Sequence, residues 1–334
     1  MNIDEKFVKL FARATERAAY GASLYKGKND KIAADQAAVD EMRSELNKIN
    51  MNGKIVIGEG ELDEAPMLFI NEIVGTKTGE EFDIAVDPLE GTNFTVKNLP
   101  NALSVLAVAR KGNLLNDPDI YMEKIAIGPK LPKNLINLDF DVKKNIKLLS
   151  EAKNTTPDNL LACVLNRPRH QKIIDELNSM NVKIKFITDG DVSGVISVAE
   201  SESKVDIYIG TGGGPEGVLA AAALHCLNCQ MQTRLVFNND DEKDRAKKMG
   251  IKDLDKKYNI SDMVKDDVIF CATGVTDGDL VKGIKDLGDS FASETLVLHK
   301  SSKTNKIIKN QVKKWIFHQL MEKTGYSENS IHQM

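Results

Sequence analysis

At 334 residues the chain is long for a single hydrophobic core, and two packed domains are the natural expectation. Hydrophobic residues at 42%, charged residues at 28% and a net charge of -4 describe an ordinary globular chain without a broad cationic surface, which argues against nucleic acid or an anionic membrane as a partner. No apolar run approaches the ~20 residues of a bilayer span, and no secretory-type stretch follows Asp4 and Glu5, so the expected location is the cytoplasm.

The first predicted element is a helix in which Phe7, Leu10, Phe11, Ala14, Ala18 and Ala22 recur at spacings of three and four, ending near Gly27. Asn29 or Asp30 caps a second helix that runs to about Asn50 with the stripe Ala38, Met42, Leu46 and Ile49. Asp35 lies on that same face, where a carboxylate is costly unless something pairs with it. Short strands follow at Lys54 to Ile57, Phe82 to Val86, Leu103 to Ala109 and about Ile120 to Ile127, which suggests an α+β first half. The stretch from Gly128 to Asp158 reads as a connection containing one helix, and the domain boundary is placed there: 1–158 as an α+β domain and 159–334 as an α/β domain.

The second half alternates. Strands are expected at Leu160 to Leu165, Val182 to Ile187, Val205 to Ile209, Met231 to Phe237 and Asp267 to Ala272, with helices at His170 to Met180, Val192 to Ala199 and Pro215 to Leu227. This order implies a mainly parallel sheet covered by helices, with ligands bound beyond the carboxyl ends of its strands. Those ends carry Asn166-Arg167-Pro168-Arg169-His170, Asp189-Gly190-Asp191, Gly210 through Gly217, and Thr273-Gly274. The four cysteines include a lone CxxC, Cys226 and Cys229, beside His225. Without a second knuckle it reads as reduced cysteines at the end of an apolar helix rather than as a zinc site.

Two strands of the first half run into acids, one at Gly58-Glu59-Gly60-Glu61 and one at Asp87-Pro88-Leu89-Glu90-Gly91-Thr92. Pro88 fixes the backbone and Gly91 permits a tight turn, which crowds Asp87, Glu90 and Thr92 together. Two like charges ~4 Å apart cost about 4 kcal/mol at an effective dielectric near 20, so a cluster of such groups calls for cations or protons. All-oxygen ligands select hard ions such as Mg²⁺ and Mn²⁺.

The segment Asp87 to Thr92 resembles the DP(I/L)(D/E)G(T/S) motif of the lithium-sensitive phosphatase superfamily. The finer resemblance is to the class II, GlpX-type, fructose-1,6-bisphosphatases. It is carried by Ala34-Asp35-Gln36-Ala37-Ala38, by Ile57 through Met67, by Pro118-Asp119-Ile120-Tyr121-Met122-Glu123-Lys124, by Arg167 to His170, by Asp189 to Asp191 and by Gly212 to Gly217. The resemblance implies a layered α-β-α-β-α sugar phosphatase fold. It implies hydrolysis of fructose 1,6-bisphosphate in gluconeogenesis with two or more Mn²⁺ or Mg²⁺ ions and an activated water, in a homo-oligomer, dimer or tetramer. It assigns Asp35, Glu59, Asp87, Glu90 and Glu216 to metal, and Glu90, Gly91, Thr92, Tyr121, Arg167, Pro168, Arg169, Asp189, Gly190, Asp191 and Gly213 to the substrate. Thr92 is the catalytic residue, its hydroxyl orienting or deprotonating the water. Arg167 and Arg169 are expected to grip the phosphate that does not react. Sedoheptulose 1,7-bisphosphate as a second substrate and an inositol monophosphate are the alternative substrates. The rival class is an NAD-dependent oxidoreductase, because Gly212 to Gly217 satisfies GxGxxG. Pro215 and Glu216 count against it, since one removes a backbone N–H and the other places negative charge where a pyrophosphate would sit.

Overall fold

The computed structural model describes residues 2–58, 67–116, 118–200 and 202–314. In chain order the elements are α1 (Lys6–Ser23), α2 (Lys31–Leu46), β1 (Met51–Ile57), β2 (Ile73–Val74), β3 (Glu80–Glu90), α3 (Thr92–Val96), β4 (Leu103–Arg110) and β5 (Tyr121–Ile127). They continue with α4 (Val142–Ala152), β6 (Leu161–Leu165), α5 (Gln171–Ser179), β7 (Lys183–Ile187), α6 (Asp191–Ile196), β8 (Ile207–Gly213), α7 (Gly214–Leu227), β9 (Gln230–Val236) and α8 (Asp240–Lys248). The last are β10 (Tyr258–Asn259), α9 (Ile260–Met263), β11 (Val268–Gly274), β12 (Lys285–Asp286), β13 (Ser290–His299) and β14 (Thr304–Lys313).

The apolar stripes decide how these pack. Phe7, Phe11, Ala14, Ala18 and Ala22 of α1 are buried, and Phe7 meets Phe82 of β3 edge-on with ring centroids 5.0 Å apart. Leu10, expected on this stripe, is exposed. Helix α2 starts as expected, with the Asp30 side chain accepting from the Ala33 N–H at 3.0 Å, and it buries Ala38, Met42 and Leu46. Together α1 and α2 cover one face of a sheet ordered β12-β13-β11-β4-β3-β1-β2, with β14 paired outside β13. The other face of that sheet packs on α6 and α7, which also contact the second sheet, β10-β9-β5-β8-β6-β7. Helices α4 and α5 close the far side of the second sheet over Ile125, Ile127, Ala162, Val164 and Ile207. Helix, sheet, helix, sheet, helix is the layered α/β and α+β arrangement that the family resemblance implied. No helix among the described residues is long and apolar enough to cross a membrane.

The strand pairing departs from the sequence reading. The second sheet is mixed rather than mainly parallel: β6 runs parallel to β7 and β8, while β5 pairs antiparallel with β8 and β9, and β9 with β10. A buried apolar strand announces its burial but not its neighbours. Each sheet draws strands from both sides of residue 158. β5 crosses into the second sheet, and β11, buried along its whole length, returns to the first between β4 and β13. Thr273, placed among the ligand-bearing strand ends, is a core residue whose hydroxyl bonds those of Thr15 and Thr295 at 2.8 Å.

Asp267 ties the start of the chain to this return. Its carboxylate accepts from Ile3 N–H at 2.7 Å, from Ser301 N–H at 2.8 Å and from the His299 ring at 3.1 Å, all in a buried place. Replacing Asp267 with Ala is expected to cost about 2–3 kcal/mol, the range for losing charged-acceptor bonds and stranding their donors. Urea unfolding of the variant, compared at constant m-value, measures it.

Candidate active site

The motif strand β3 brings its two acids onto one face by an irregularity. Asp87 lies opposite Val105 and Glu90 opposite Leu103, so three steps on β3 match two on β4. In a regular strand residues three apart point to opposite faces; the extra residue of this bulge turns both carboxylates the same way. Asp87 Oδ1 accepts from the Leu89 N–H at 3.1 Å, which tightens the turn across Pro88. Gly91 then adopts φ +80°, open to glycine, and α3 begins at Thr92.

The third acid arrives from the other side. Glu216 stands in the first turn of α7, directly after β8. One ligand oxygen from each of Asp87, Glu90 and Glu216 lies within 4.8 Å of the others. Gly213 faces Glu216 so closely that a Cβ there would sit 1.9 Å from Oε2. Glu90 is buried and Oε1 accepts the Val192 N–H at 3.0 Å. Glu216 Oε2 is buried with no hydrogen-bond partner. Burial foremost raises the Glu90 carboxyl above its ordinary value. Burial, and then the charge of Glu90, push Glu216 up to about 7. An orphaned carboxylate oxygen in a cluster whose three candidate ligands are all carboxylates fits a hard divalent cation.

Asp35 comes from α2 and meets the catalytic candidate rather than the acid trio. The Thr92 hydroxyl donates to Asp35 Oδ1 at 2.8 Å, with the Leu89 carbonyl at 3.3 Å as a second acceptor. Burial foremost raises the Asp35 carboxyl, and the Thr92 bond opposes that rise. Glu59, the remaining acid assigned to metal, lies outside the described residues.

The arginine side of the site is built at the end of β8. Tyr121 pairs with Gly213, and the Arg169 guanidinium lies 4.9 Å from the centre of the exposed Tyr121 ring. Arg169 also donates through Nε and Nη2 to the Thr211 carbonyl at 3.0 and 2.7 Å. Arg167 is half-buried and donates to the Asn166 carbonyl at 3.2 Å, next to exposed Pro168. Sequence reasoning included His170 in a motif but gave it no role; the structure shows that it locks this corner, Nδ1 donating to the Leu165 carbonyl at 2.7 Å and Nε2 accepting the Thr211 N–H at 2.8 Å. Burial lowers its pKa, in keeping with a neutral ring. Asp189 and Gly190 line a cavity of about 580 Å³ that also includes Phe94, Lys185 and Ser193, whereas none of the three clustered acids lines it. Asp191 turns away from it, buried against Lys124 and the Tyr208 hydroxyl. The sequence places Asp191 on sugar hydroxyls; the structure gives its carboxylate to protein partners. The four cysteines are free thiols, and burial pushes Cys226 and Cys229 up to about 12, so they stay protonated as expected of core cysteines.

Clustered acids, a hydroxyl handed to a carboxylate and an arginine beside an aromatic ring are the equipment of a phosphatase. Residues 5–312 match the family described as bacterial fructose-1,6-bisphosphatase, glpX-encoded, and the chain belongs to that family. It is 43% identical over 308 residues to fructose-1,6-bisphosphatase 1 class 2 of Escherichia coli K12, covering 88% of this chain and 91% of the relative. It is 40% identical to the class 2 enzyme of Haemophilus influenzae, covering 88% and 92%. Among solved structures, the extragenic suppressor protein suhB from Bartonella henselae is 11% identical with a TM-score of 0.34, covering 59% of this chain and 74% of that one. An inositol monophosphatase from Anabaena is 11% identical with a TM-score of 0.30, covering 58% and 72%. Likenesses this slight carry no weight at the site. Family membership overturns the oxidoreductase reading of Gly212 to Gly217: that turn leads Glu216 to the acids, and β8 is bordered by antiparallel β5.

The raised Glu216 pKa has a consequence for stability. In the folded chain this carboxyl keeps a proton that the unfolded chain, with the ordinary value of 4.5, has already released. Metal-free protein should therefore lose stability as pH climbs from about 4.5 to about 7 and level off above that. Mn²⁺ should raise Tm strongly at pH 8 and little at pH 5. Thermal scans with and without the ion test this; an equal shift at both pH values would remove Glu216 from the metal-binding set.

Proposed function

We propose that the chain hydrolyses fructose 1,6-bisphosphate to fructose 6-phosphate and phosphate, with two or more Mn²⁺ or Mg²⁺ ions. Asp87, Glu90 and Glu216 would hold metal, together with Glu59 as the family resemblance implies. Family membership and the acid trio within 4.8 Å carry this reading. Divalent metal at such a site supplies charge that offsets the phosphoryl oxygens and the leaving alkoxide and acidifies water. A homo-oligomer working in the cytoplasm belongs to the same proposal.

The chain's own groups move the proton. Thr92 gives its hydroxyl hydrogen to Asp35, so its lone pairs are free to take a proton from a water placed against the phosphorus. The proton then passes from water to Thr92 Oγ1 and from Thr92 to Asp35 Oδ1. Burial has already raised the Asp35 carboxyl, which suits it to receive one. Asp35 thereby acts as proton acceptor in addition to any contact with metal. At the far end, Arg167 and Arg169 would take the unreactive phosphate, with Tyr121 beside Arg169, and Asp189 and Gly190 would face the sugar. Binding energy gained there aligns the scissile bond.

Thr92→Ala is expected to lower kcat by roughly 10²–10⁴-fold, the span for losing a proton-transfer group, with little change in KM. Thr92→Ser should keep much of the activity. Phosphate release at saturating substrate measures both, and an unaffected alanine variant would reduce Thr92 to a turn residue. Arg167→Ala and Arg169→Ala should raise KM for the bisphosphate while leaving p-nitrophenyl phosphate hydrolysis nearly unchanged. Equal damage on both substrates would place these arginines at the reacting phosphate instead.

A further inference from the structure

Lys124 closes the motif Pro118 to Lys124, and the proposed function uses only Tyr121 of it. Its side chain is fully buried, and its ammonium pairs with Asp191, whose other oxygen takes the Tyr208 hydroxyl. Asp191 is the first residue of α6, and the next residue, Val192, gives the N–H that holds Glu90 Oε1 at 3.0 Å. The pocket around this ammonium is cut to it. A Cβ on Gly212 would stand 3.2 Å from Lys124 Nζ and 2.1 Å from Asp191 Oδ2, and one on Gly217 would stand 3.1 Å from Lys124 Cε. Gly212 and Gly217 flank the turn that presents Glu216, so one ammonium sits between the start of α6, which bonds Glu90, and the turn that presents Glu216.

We infer that Lys124 is a positioning residue for the hydrolytic reaction: through Asp191 it fixes the start of α6, and with it the orientation of Glu90 toward Glu216 and the divalent ion they share. The inference rests on the metal-dependent reading of the acid trio above. A buried lysine–aspartate pair that served stability alone could sit anywhere in the core. This one is bonded into the backbone that orients a clustered acid, and its positive charge also opposes the upward push on Glu216. Breaking such supporting contacts typically costs 10–100-fold in metal affinity or activity.

The test uses Lys124→Met, which keeps the stem and removes the charge, and Tyr208→Phe, which loosens Asp191 while leaving the ion pair. Binding of Mn²⁺ is read directly by the electron paramagnetic resonance of the free aqueous ion, alongside kcat and KM for the bisphosphate and for p-nitrophenyl phosphate, and Tm. Lys124→Met should bind Mn²⁺ about 10–100-fold more weakly. It should lower kcat on both substrates and leave KM for the bisphosphate within about twofold of wild type. Tyr208→Phe should move the same quantities in the same direction by less. A folded Lys124→Met with wild-type Mn²⁺ affinity and kcat, whatever its Tm, would make the pair purely structural and overturn the inference. Should Lys124→Met fail to fold, Tyr208→Phe decides: weakened Mn²⁺ binding supports the inference and unchanged binding overturns it. Wild-type protein run in parallel separates the two levels, since a wild type that neither binds Mn²⁺ nor hydrolyses the bisphosphate removes the functional reading and this inference with it.

Discussion

The candidate site answers to one electrostatic constraint, which is that one carboxylate oxygen from each of Asp87, Glu90 and Glu216 is held within 4.8 Å of the others. At such separations each pair of ionised carboxylates repels by a few kcal/mol even at a generous effective dielectric. Three local devices bear on the problem. The Val192 N–H donates to Glu90, the buried Lys124 ammonium stands nearby, and burial favours protons on Glu90 and Glu216. None of them gives Glu216 Oε2 a partner. A divalent ion would do so, and it would also displace the proton that keeps the apo cluster tolerable.

The constraint explains why the site draws on every central layer. Asp87 and Glu90 come from the first sheet, Glu216 from the middle helix layer at the end of a strand of the second, and Asp35 from the outer helix α2. A single sheet edge offers alternate residues on one face at about 7 Å spacing, too open for shared coordination. Stacking two sheets across α6 and α7 lets ends from different layers converge. The bulge at Asp87 to Glu90 and the bare faces of Gly212 and Gly213 then remove the last steric obstacles.

This origin from separate layers also sets what could be read from the chain. The helices α1 and α2, with the Asp30 cap, and most strands of both halves follow from periodicity, because each stripe faces a single layer. Sheet membership does not. The pattern of Val268–Gly274 identifies a strand buried on both faces, and the same pattern would serve in either sheet. The β13–β14 hairpin was missed since β14 is a mostly exposed edge strand rich in lysine and asparagine, with little apolar alternation to mark it. In the site, Asp87, Glu90 and Thr92 were legible because one turn supplies them. Glu216 received its role only through the family motifs, and Asp35 was marked by its place on an apolar helix face but assigned a role only through them. The bond of Asp35 to Thr92 and the burial of Asp191 on Lys124 depend on how helices sit against sheets, and neither spacing nor motif encodes that. Tyr208 carried no signal beyond that of an ordinary strand residue, and His170 appeared only as the last residue of a motif, without a role.

The corner around Thr211 joins the two ends of the proposed substrate. Arg169 donates to its carbonyl and His170 accepts from its N–H, so the loop after β6 is bolted to β8 through both backbone groups of one residue. Two residues on, Gly213 pairs with Tyr121, and after that α7 begins and carries Glu216. The path from the backbone that Arg169 holds to Glu216 is thus a run of six residues, Thr211 to Glu216, anchored at its start by a histidine whose burial disfavours its charged form. Rigidity of that kind matters for catalysis. Binding energy from a group that does not react helps only if the protein between the two ends does not yield. A loose connection would let the remote phosphate bind without drawing the scissile one into line. On the proposed assignment the same β8 end would support both, and a second phosphate would then contribute to kcat as well as to affinity.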